Sequence, residues 1–429
     1  MTKKINSILT EVLEKIEPPK KELEIIKNSL KEFLKKFEKR LKALKINAEV
    51  FVGGSFAKNT MIKKDDYDID VFIRFPKDKK YTDIEISKLT GKILKGFVNV
   101  SIIHGSRDYF RVKISPSFFI EIIPVIKIKN LREAENITDL SYSHVKYINK
   151  KLKSKKMLDE IKIAKAFCYA NHCYGAESYI RGFSGYGLEL LIYYYGSFLK
   201  FVRAMSRAED KIIIDTEKQH KNKQTILMDL NSSKLNSPII LIDPTYKQRN
   251  VLASLSEETL KNFKKVCKEF LKNLGIKAFE LKKTDLEKIK RDSKKKGYEF
   301  ILIEVKTNKQ MGDVAGSKLM KFYKHLSNEI EKFFEVKNKG FNYNGKKSAR
   351  DFFVVKNKKE ILIRGPGISD EKNAKKFKKR HKNTFIKSGK IYAKEKIKFN
   401  IEKFIEIWKK KNKKRIKEMY INELKVVKN

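Results

Sequence analysis

The chain has few cysteines, fewer acidic than basic residues, and no long hydrophobic run. Its 429 residues include three cysteines, Cys168, Cys173 and Cys267, and none belongs to a Cys-x-x-Cys pair. This argues against a disulfide framework or a zinc site, and we expect a reducing, cytoplasmic environment. No apolar stretch is long enough to span a membrane, and the N-terminal segment lacks the hydrophobic region of a secretory signal. We therefore expect no membrane partner.

The shortage of acidic residues leaves a large positive charge. There are 99 lysines and arginines against 52 aspartates and glutamates, so the formal net charge is +47. An excess of this size predicts attraction to a polyanion, most simply RNA or DNA. Lysine dominates the excess, and lysine attracts phosphate with little reading of base identity. A general lysine bias in the source proteome is the alternative explanation.

The segment from Gly53 to Pro76, GGSFAKNTMIKKDDYDIDVFIRFP, combines a turn of small residues with a pair of closely spaced aspartates. From Tyr67 to Ile73, apolar residues alternate with Asp68, Asp70 and Phe72, which predicts a strand with Asp68 and Asp70 on one face. Two such carboxylates repel each other, and a divalent cation between them makes the arrangement favourable. The alternative is a hairpin with two exposed acids.

A turn of small residues, Gly53-Gly54-Ser55, precedes this strand. Glycine lets backbone N–H groups approach a ligand closely, so the hydroxyl of Ser55 and the ammonium of Lys58 can reach phosphate oxygens. We also predict that a short helix opens at Ser55, where a helix N-terminus favours anions. A phosphate cradle beside metal-binding carboxylates indicates chemistry on a nucleoside triphosphate.

This Gly-Ser followed by Asp-x-Asp resembles the nucleotidyltransferase superfamily that includes DNA polymerase β. Members of that superfamily have a third carboxylate on a neighbouring strand. The apolar segment from Phe118 to Ile128 contains one acid, Glu121. A lone charge in such a strand is costly to bury unless it has a partner, which a shared metal would supply. A solvated strand face is the alternative.

The resemblance extends to the archaeal-type (class I) CCA-adding tRNA nucleotidyltransferases and is weakest from Lys277 to Lys347. It implies an α+β multidomain fold: a polymerase β-like nucleotidyltransferase palm over residues 1–140, a helical central domain with the nucleotide-base pocket over 141–275, and α+β C-terminal RNA-binding modules over 276–429. Matching segments in the family's order are GGSFAKNT, YDIDVFIRFP, SHVKYI, IRGFSGYGLELLIYYYGSFL, IDPTYKQRNVLASLS and ILIRGPGI.

The resemblance also implies an activity. Members add C, C and A to the 3′ end of tRNA from CTP and ATP without a template, use Mg²⁺, and release pyrophosphate. It further implies contact with the tRNA 3′ end and acceptor arm, and a homodimer. Three alternatives stay open: a poly(A) or oligoadenylate polymerase, a catalytically silent RNA-binding protein, and a small-molecule nucleotidyltransferase, which the long basic C-terminal third does not suit.

Site residues follow from the same resemblance. Asp68, Asp70 and Glu121 match the catalytic, metal-binding carboxylates, although the family more usually has aspartate at the third position. Arg107-Asp108-Tyr109 stands near the place where the family usually has His-Pro-Tyr, and we assign it no role. For several of the nucleotide-binding positions named next, a structural or solvent-exposed role would be the ordinary interpretation without the resemblance. The positions that match nucleotide-binding residues are Ser55, Lys58, His144, Lys165, Tyr174 and Arg249.

Periodicity predicts several further elements. We expect an apolar helix near 188–205, a strand-to-helix joint over 241–250 and another helix starting at Ser256. In the C-terminal third we expect a loop over 338–349, paired strands over 351–355 and 360–363, and a helix over 402–421.

Overall fold

The computed structural model describes residues 2–358 and 360–427. The chain forms two units, one up to Lys282 and one from Lys283 onward. The first unit includes both the sheet expected of the palm and the helical region, so the three-domain division at 140 and 275 remains a prediction. Among the helices in the described ranges, none combines the length and apolarity needed to cross a membrane.

A mixed sheet organises the N-terminal part of the first unit, and its strands follow the spatial order β1-β2-β5-β4-β3. Only β2 and β5 are parallel neighbours; the other pairs are antiparallel. Ile69, Val71 and Ile73 on β2 are buried, whereas Asp68 and Asp70 alternate with them, as predicted. The strands are β1 (Glu49–Val52), β2 (Tyr67–Pro76), β3 (Val100–Ile103), β4 (Tyr109–Ser115) and β5 (Phe118–Lys127).

The helices of this unit contribute to two hydrophobic cores. Phe33 and Phe37 of α2 share the core of the sheet, while α1, α6, α7, α8 and α11 enclose a second core around Phe167, Phe201 and Phe263. The helices are α1 (Thr2–Ile16), α2 (Lys20–Ala43), α3 (Gly54–Ala57), α4 (Asp83–Leu94), α5 (Ser141–Lys151), α6 (Lys155–Ala170), α7 (Gly185–Tyr195), α8 (Phe198–Arg207), α9 (Lys223–Asp229), α10 (Ser232–Leu235) and α11 (Glu257–Lys272).

The single helix predicted near 188–205 is wrong, because the segment forms α7 and α8. Gly196 has a φ of +79° in the left-handed region and ends α7, a conformation that glycine adopts readily. Ser197 then starts α8, since its side chain accepts the backbone N–H of Lys200 at 3.3 Å. The apolar pattern continues across this turn, so the periodicity of the sequence does not reveal the break between the two helices.

The segment 241–250 was also predicted incorrectly. It folds back as an antiparallel pair instead of leading from a strand to a helix, and Asp243 pairs with Tyr246. The helix predicted from Ser256 is confirmed, with the Ser256 side chain accepting the N–H of Thr259 at 3.2 Å. The strands of this small sheet are β6 (Ile212–Ile214), β7 (Ile239–Asp243) and β8 (Tyr246–Asn250).

The second unit has two antiparallel sheets, with orders β10-β11-β9-β15 and β12-β14-β13. Phe322, Phe353 and Trp408 join α13 and α15 to the larger sheet. The α+β multidomain prediction is confirmed. The elements are α12 (Leu286–Lys295), β9 (Glu299–Thr307), α13 (Asp313–Phe333), β10 (Phe334–Tyr343), β11 (Ser348–Asn357), β12 (Glu360–Gly367), α14 (Glu371–Arg380), β13 (Thr384–Lys387), β14 (Lys390–Lys396), α15 (Ile401–Lys411), α16 (Lys413–Glu418) and β15 (Ile421–Val426).

Three predictions in this unit are wrong. Half of the segment predicted as a loop over 338–349 belongs to strand β10, whose polar residues face solvent, and its end from Ser348 belongs to β11. The strands predicted to pair over 351–355 and 360–363 lie in different sheets, because β11 pairs with β9 and β10 whereas β12 pairs with β14. The helix over 402–421 is broken at Asn412, which ends α15 and precedes α16, and Ile421 begins β15.

Candidate active site

The three predicted carboxylates lie on neighbouring strands. Asp70 of β2 and Glu121 of β5 are paired in the parallel register, and Asp68 lies on the same face of β2. Burial, reinforced by the neighbouring carboxylate charges, raises the pKa of Glu121 to about 8. Burial also raises the pKa of Asp70 to about 6. The strands therefore bring together carboxylates that lack sufficient positive charge around them.

Arg111 on β4 is a member of this site that sequence reasoning missed. It is paired in register with Glu121, its guanidinium donates to Asp68, and its Nε lies 3.6 Å from Glu121 Oε1. Within the described ranges no set of three His, Cys, Asp or Glu side chains is gathered as a metal site. Arg111 gives a physical reason, since its guanidinium links two of the three carboxylates.

The donor set nonetheless fits a divalent cation. Three carboxylates offer only oxygen ligands, which hard divalent cations prefer. The pKa values of Asp70 and Glu121 are raised because these groups are buried without enough compensating positive charge. The turn before β2 lies against them: a Cβ on Gly54, whose φ is +62°, would come within 1.8 Å of Asp70 Oδ2. Only glycine allows this close approach of the turn to Asp70.

Ser55, Lys165 and Tyr174 line the same cleft as Asp68 and Asp70. The predicted helix at Ser55 is confirmed as the single turn α3. Lys64, which was not predicted, also lines the cleft, with its ammonium 5.0 Å from the centre of the Tyr174 ring. The cleft thus combines carboxylates, a hydroxyl and ammonium groups, the chemistry needed beside a triphosphate.

Lys58 and Lys165 meet at a second residue that sequence reasoning missed, Glu189 on α7. Glu189 Oε2 lies 2.7 Å from Lys58 Nζ, and its Oε1 lies 2.8 Å from Lys165 Nζ. Burial lowers the pKa of Lys165 to about 8. Burial alone would raise the pKa of Glu189, but Lys165 and Lys58 lower it to about 2. The sequence does contain a signal for Glu189, because it is the single acid in the apolar stretch GYGLELLIYYY.

His144 and Arg249 meet at Asp243, which was also missed. Asp243 Oδ2 lies 2.9 Å from His144 Nε2 and accepts from a terminal nitrogen of Arg249 at 2.6 Å. Burial lowers the pKa of His144. Burial opposes ionisation of Asp243, but His144 and Arg249 hold its pKa well below the usual range. Arg249 Nε is buried without a hydrogen-bond partner.

The two clusters are adjacent. Tyr186 stacks on His144 with ring centres 4.1 Å apart, and its hydroxyl donates to Asp243 at 3.1 Å. The ammonium of Lys58 lies 5.9 Å from the centre of the same tyrosine ring. The residues singled out from the sequence therefore occupy one connected region of the first unit.

Arg107, to which the sequence assigned no role, makes structural ion pairs. Its guanidinium donates to the buried carboxylate of Asp139 and lies 2.6 Å from Asp83. It thereby fixes the segment that follows β5.

Similar proteins identify the chain. The CCA-adding enzyme of Nanoarchaeum equitans is 34% identical over 352 residues, covering 80% of this chain and 83% of that protein. This chain belongs to the CCA-adding enzyme family. The CCA-adding enzyme of Methanocaldococcus jannaschii is 30% identical over 91% of this chain and 87% of that protein. That of Archaeoglobus fulgidus is 27% identical over 92% and 87%, respectively.

Family models agree with this membership. Residues 30–130 match the nucleotidyltransferase domain, and residues 159–280 match the second domain of tRNA nucleotidyltransferases. The predicted resemblance to CCA-adding enzymes is confirmed, and the chain is an enzyme of the nucleotidyltransferase class.

Solved structures share the fold. A structure of Cid1, described for its RNA terminal uridylyl transferase activity, superimposes with a TM-score of 0.51 at 13% identity, covering 66% of this chain and 99% of that chain. A cytoplasmic RNA terminal U-transferase gives 0.50 at 14% identity, covering 66% and 100%. At such low identity the likeness concerns the fold alone, and it agrees with the predicted polymerase β-like palm.

Proposed function

We propose that this chain completes the 3′ end of tRNA by adding C, C and A from CTP and ATP, releasing pyrophosphate. The observation that carries the proposal is the in-register pairing of Asp70 with Glu121, beside Asp68 and the Ser55 turn, in a member of the CCA-adding enzyme family. The reaction is attack by the tRNA 3′ hydroxyl on the α-phosphate, with pyrophosphate leaving in line.

Asp68, Asp70 and Glu121 are the proposed ligands of Mg²⁺. When bound, Mg²⁺ supplies the positive charge that favours an ionised 3′ hydroxyl and a departing pyrophosphate. Glu121 is the proposed acceptor or relay of the proton from the 3′ hydroxyl, because its carboxylate is paired in register with Asp70 at the proposed metal site.

The remaining residues hold the incoming nucleotide. Ser55, Lys58, Lys165 and Tyr174 bind and neutralise the triphosphate. Nucleotide binding near Arg249 is supported by its guanidinium, which Asp243 holds in place while 15% of the side chain stays exposed. His144 lies against Arg249 and completes this side of the pocket.

The proposed partner is the 3′ end and acceptor arm of tRNA. The second unit supports this through basic helices such as α14, EKNAKKFKKR, whose exposed lysines suit a phosphate backbone. A homodimer and a cytoplasmic location are part of the proposal.

The test uses tRNA transcripts that end at the discriminator base, at C and at CC, each incubated with Mg²⁺ and one labelled nucleotide. We expect CTP to extend the first two by two and one residues, and ATP to extend only the CC form, by one residue. Asp70→Ala is expected to abolish incorporation while tRNA binding persists. Long A tails, or binding by the unmodified protein without incorporation, would overturn the proposal.

A further inference from the structure

Glu189 is a carboxylate enclosed in hydrophobic packing. It lies on α7 between Leu188 and Leu190, and its exposed fraction is 0%. Burying an ionised carboxylate is costly unless charges and hydrogen bonds compensate. Glu189 nevertheless stays ionised, so its surroundings must supply that compensation.

Three donors from distant segments provide it. Lys58 follows α3, Thr60 lies two residues later, and Lys165 projects from α6. Thr60 donates its hydroxyl to Glu189 Oε1 at 3.0 Å, and Lys165 donates to Thr60 Oγ1 at 2.7 Å. The carboxylate therefore links the turn that carries Ser55 to the helix that carries Lys165.

The charges of this cluster do not cancel. Within the cluster two ammonium groups surround one carboxylate, so one positive charge is left to act on the cleft. Lys165 lines that cleft together with Ser55 and Asp70, and the charge of Lys58 partly offsets the effect of burial on the pKa of Asp70. A buried pair serving stability alone has no need of a second cation, because uncompensated charge in the interior is unfavourable. The surplus charge suits an anionic ligand in the cleft.

We propose that Glu189 is a positioning residue for nucleotide binding: it holds the ammonium groups of Lys58 and Lys165 in place and charged, so that they receive the triphosphate. The inference rests on the proposed function and assigns a role to a residue that does not itself touch the nucleotide. Without the carboxylate, the two ammonium groups would repel each other in a buried space. One of them would then move away from the other or lose its proton.

The pH dependence should reveal this role. The charged groups that act on Lys165 are Glu189 from α7, Lys58 at the end of α3, and Lys64 from the following segment. Only Glu189 raises the pKa of Lys165, so removing its charge leaves burial and two cations that lower it further. Since kcat/KM for the nucleotide reports groups of the free enzyme, its decline at alkaline pH should begin at a lower pH.

The experiment compares the full chain with its Glu189→Gln variant, following A addition to tRNA that ends in CC. We expect the KM for ATP to rise about 10- to 100-fold, the loss typical of hydrogen bonds to charged groups, with kcat within about threefold. The decline of kcat/KM should move to lower pH by about one unit. The KM for tRNA should not change.

Glu160→Gln is the matched control. Glu160 is also in the helical region, but its carboxylate accepts the backbone N–H of Phe198 at 2.8 Å and contacts neither lysine. We expect its KM for ATP and its pH profile to match the unmodified protein. An equal change in both variants would show that any carboxylate loss in this region has the same effect, and would overturn the inference.

Thr60→Val is the second variant, for use if Glu189→Gln does not fold. It removes one hydroxyl from the cluster without leaving a buried charge unpaired, and we expect about a 3- to 10-fold rise in the KM for ATP. A folded variant with unchanged KM and pH profile would overturn the inference. Failure of the unmodified protein to add any nucleotide would instead overturn the proposed function, and equilibrium binding of ATP to the same variants would still test Glu189.

Discussion

Arg111 and a metal ion would compete for the same carboxylates. The guanidinium of Arg111 is bound to Asp68 and lies beside Glu121. A cation that binds these two carboxylates must therefore displace the guanidinium or draw the carboxylates away from it. We predict that Arg111→Ala binds Mn²⁺ about tenfold more tightly than the unmodified protein, because the carboxylates lose their internal counter-charge. Titration by electron paramagnetic resonance, without tRNA or nucleotide, measures this affinity.

Arg74→Ala provides the control for Arg111. Arg74 is also on the palm sheet, but it pairs with Glu49 at 3.2 Å and touches none of the three site carboxylates. We expect its Mn²⁺ affinity to be unchanged. Weaker Mn²⁺ binding by Arg111→Ala would mean that the arginine supports the metal site, contrary to the prediction.

The candidate site could be read in part from single residues. Glu121 was found because one acid interrupts an apolar strand and needs a partner. The same reasoning applies to Glu189 and Asp243, which stand in equally apolar segments. Arg111 had no such signal, because its role comes from its cross-strand neighbour, and register depends on the assembled sheet.

Asp351 gives a prediction about stability. It lies on β11 with an exposed fraction of 1%, and neither carboxylate oxygen has a hydrogen-bond partner. Burial raises its pKa well above the usual range. The folded protein therefore keeps the proton at pH values where the unfolded chain loses it, and this residue lowers stability as pH rises above about 4, the pKa in the unfolded chain.

We expect Asp351→Asn to remove this penalty. Its unfolding free energy relative to the unmodified protein should increase from pH 5 to pH 8 by at most about 1.4 kcal/mol per pH unit, with little difference near pH 4. Denaturant unfolding at several pH values measures the difference. A difference that is constant across this range would contradict the assignment of a protonated Asp351.

At the scale of elements, the break between α7 and α8 depends on Gly196. Its φ is +79°, and a Cβ at this position would meet no atom within 4 Å, so only backbone conformation opposes a side chain. We predict that Gly196→Ala lowers the free energy of unfolding by about 1 kcal/mol. Chemical denaturation of the full chain provides the measurement.

Gly275→Ala is the comparison for Gly196. Gly275 also has open space around its Cβ position, but its φ of −175° is extended backbone that any residue adopts. We expect no loss of stability there. Equal losses at both glycines would show that backbone handedness is not the cause.

Elements were predictable where local pattern and final environment agree. The alternation of β2 gave a correct element, because one face of this strand is buried in the palm core. The strands of the second unit were not predictable to the same degree. β12 follows β11 closely in sequence but pairs with β14, and such partners are set by packing across the whole unit.

At the scale of the whole molecule, the question is where the charge of +47 acts. If exposed lysines of α14 contact tRNA phosphates, each contact releases counterions, and tRNA affinity falls steeply with salt. We predict that Lys375→Gln combined with Lys379→Gln lowers the slope of log affinity against log salt by about two. The KM for ATP should be unchanged, since neither lysine is among the described residues that line the nucleotide cleft.

Removing the same charge elsewhere separates local contact from general attraction. Lys261 and Lys265 are exposed on α11 in the first unit, and their double change to glutamine gives the same net charge. We expect that variant to keep nearly the full salt dependence, because a general field is screened within about 10 Å at 0.1 M salt whereas direct contacts keep their counterion stoichiometry. Equal slopes for the two double variants would mean that net charge attracts tRNA without a defined contact at α14.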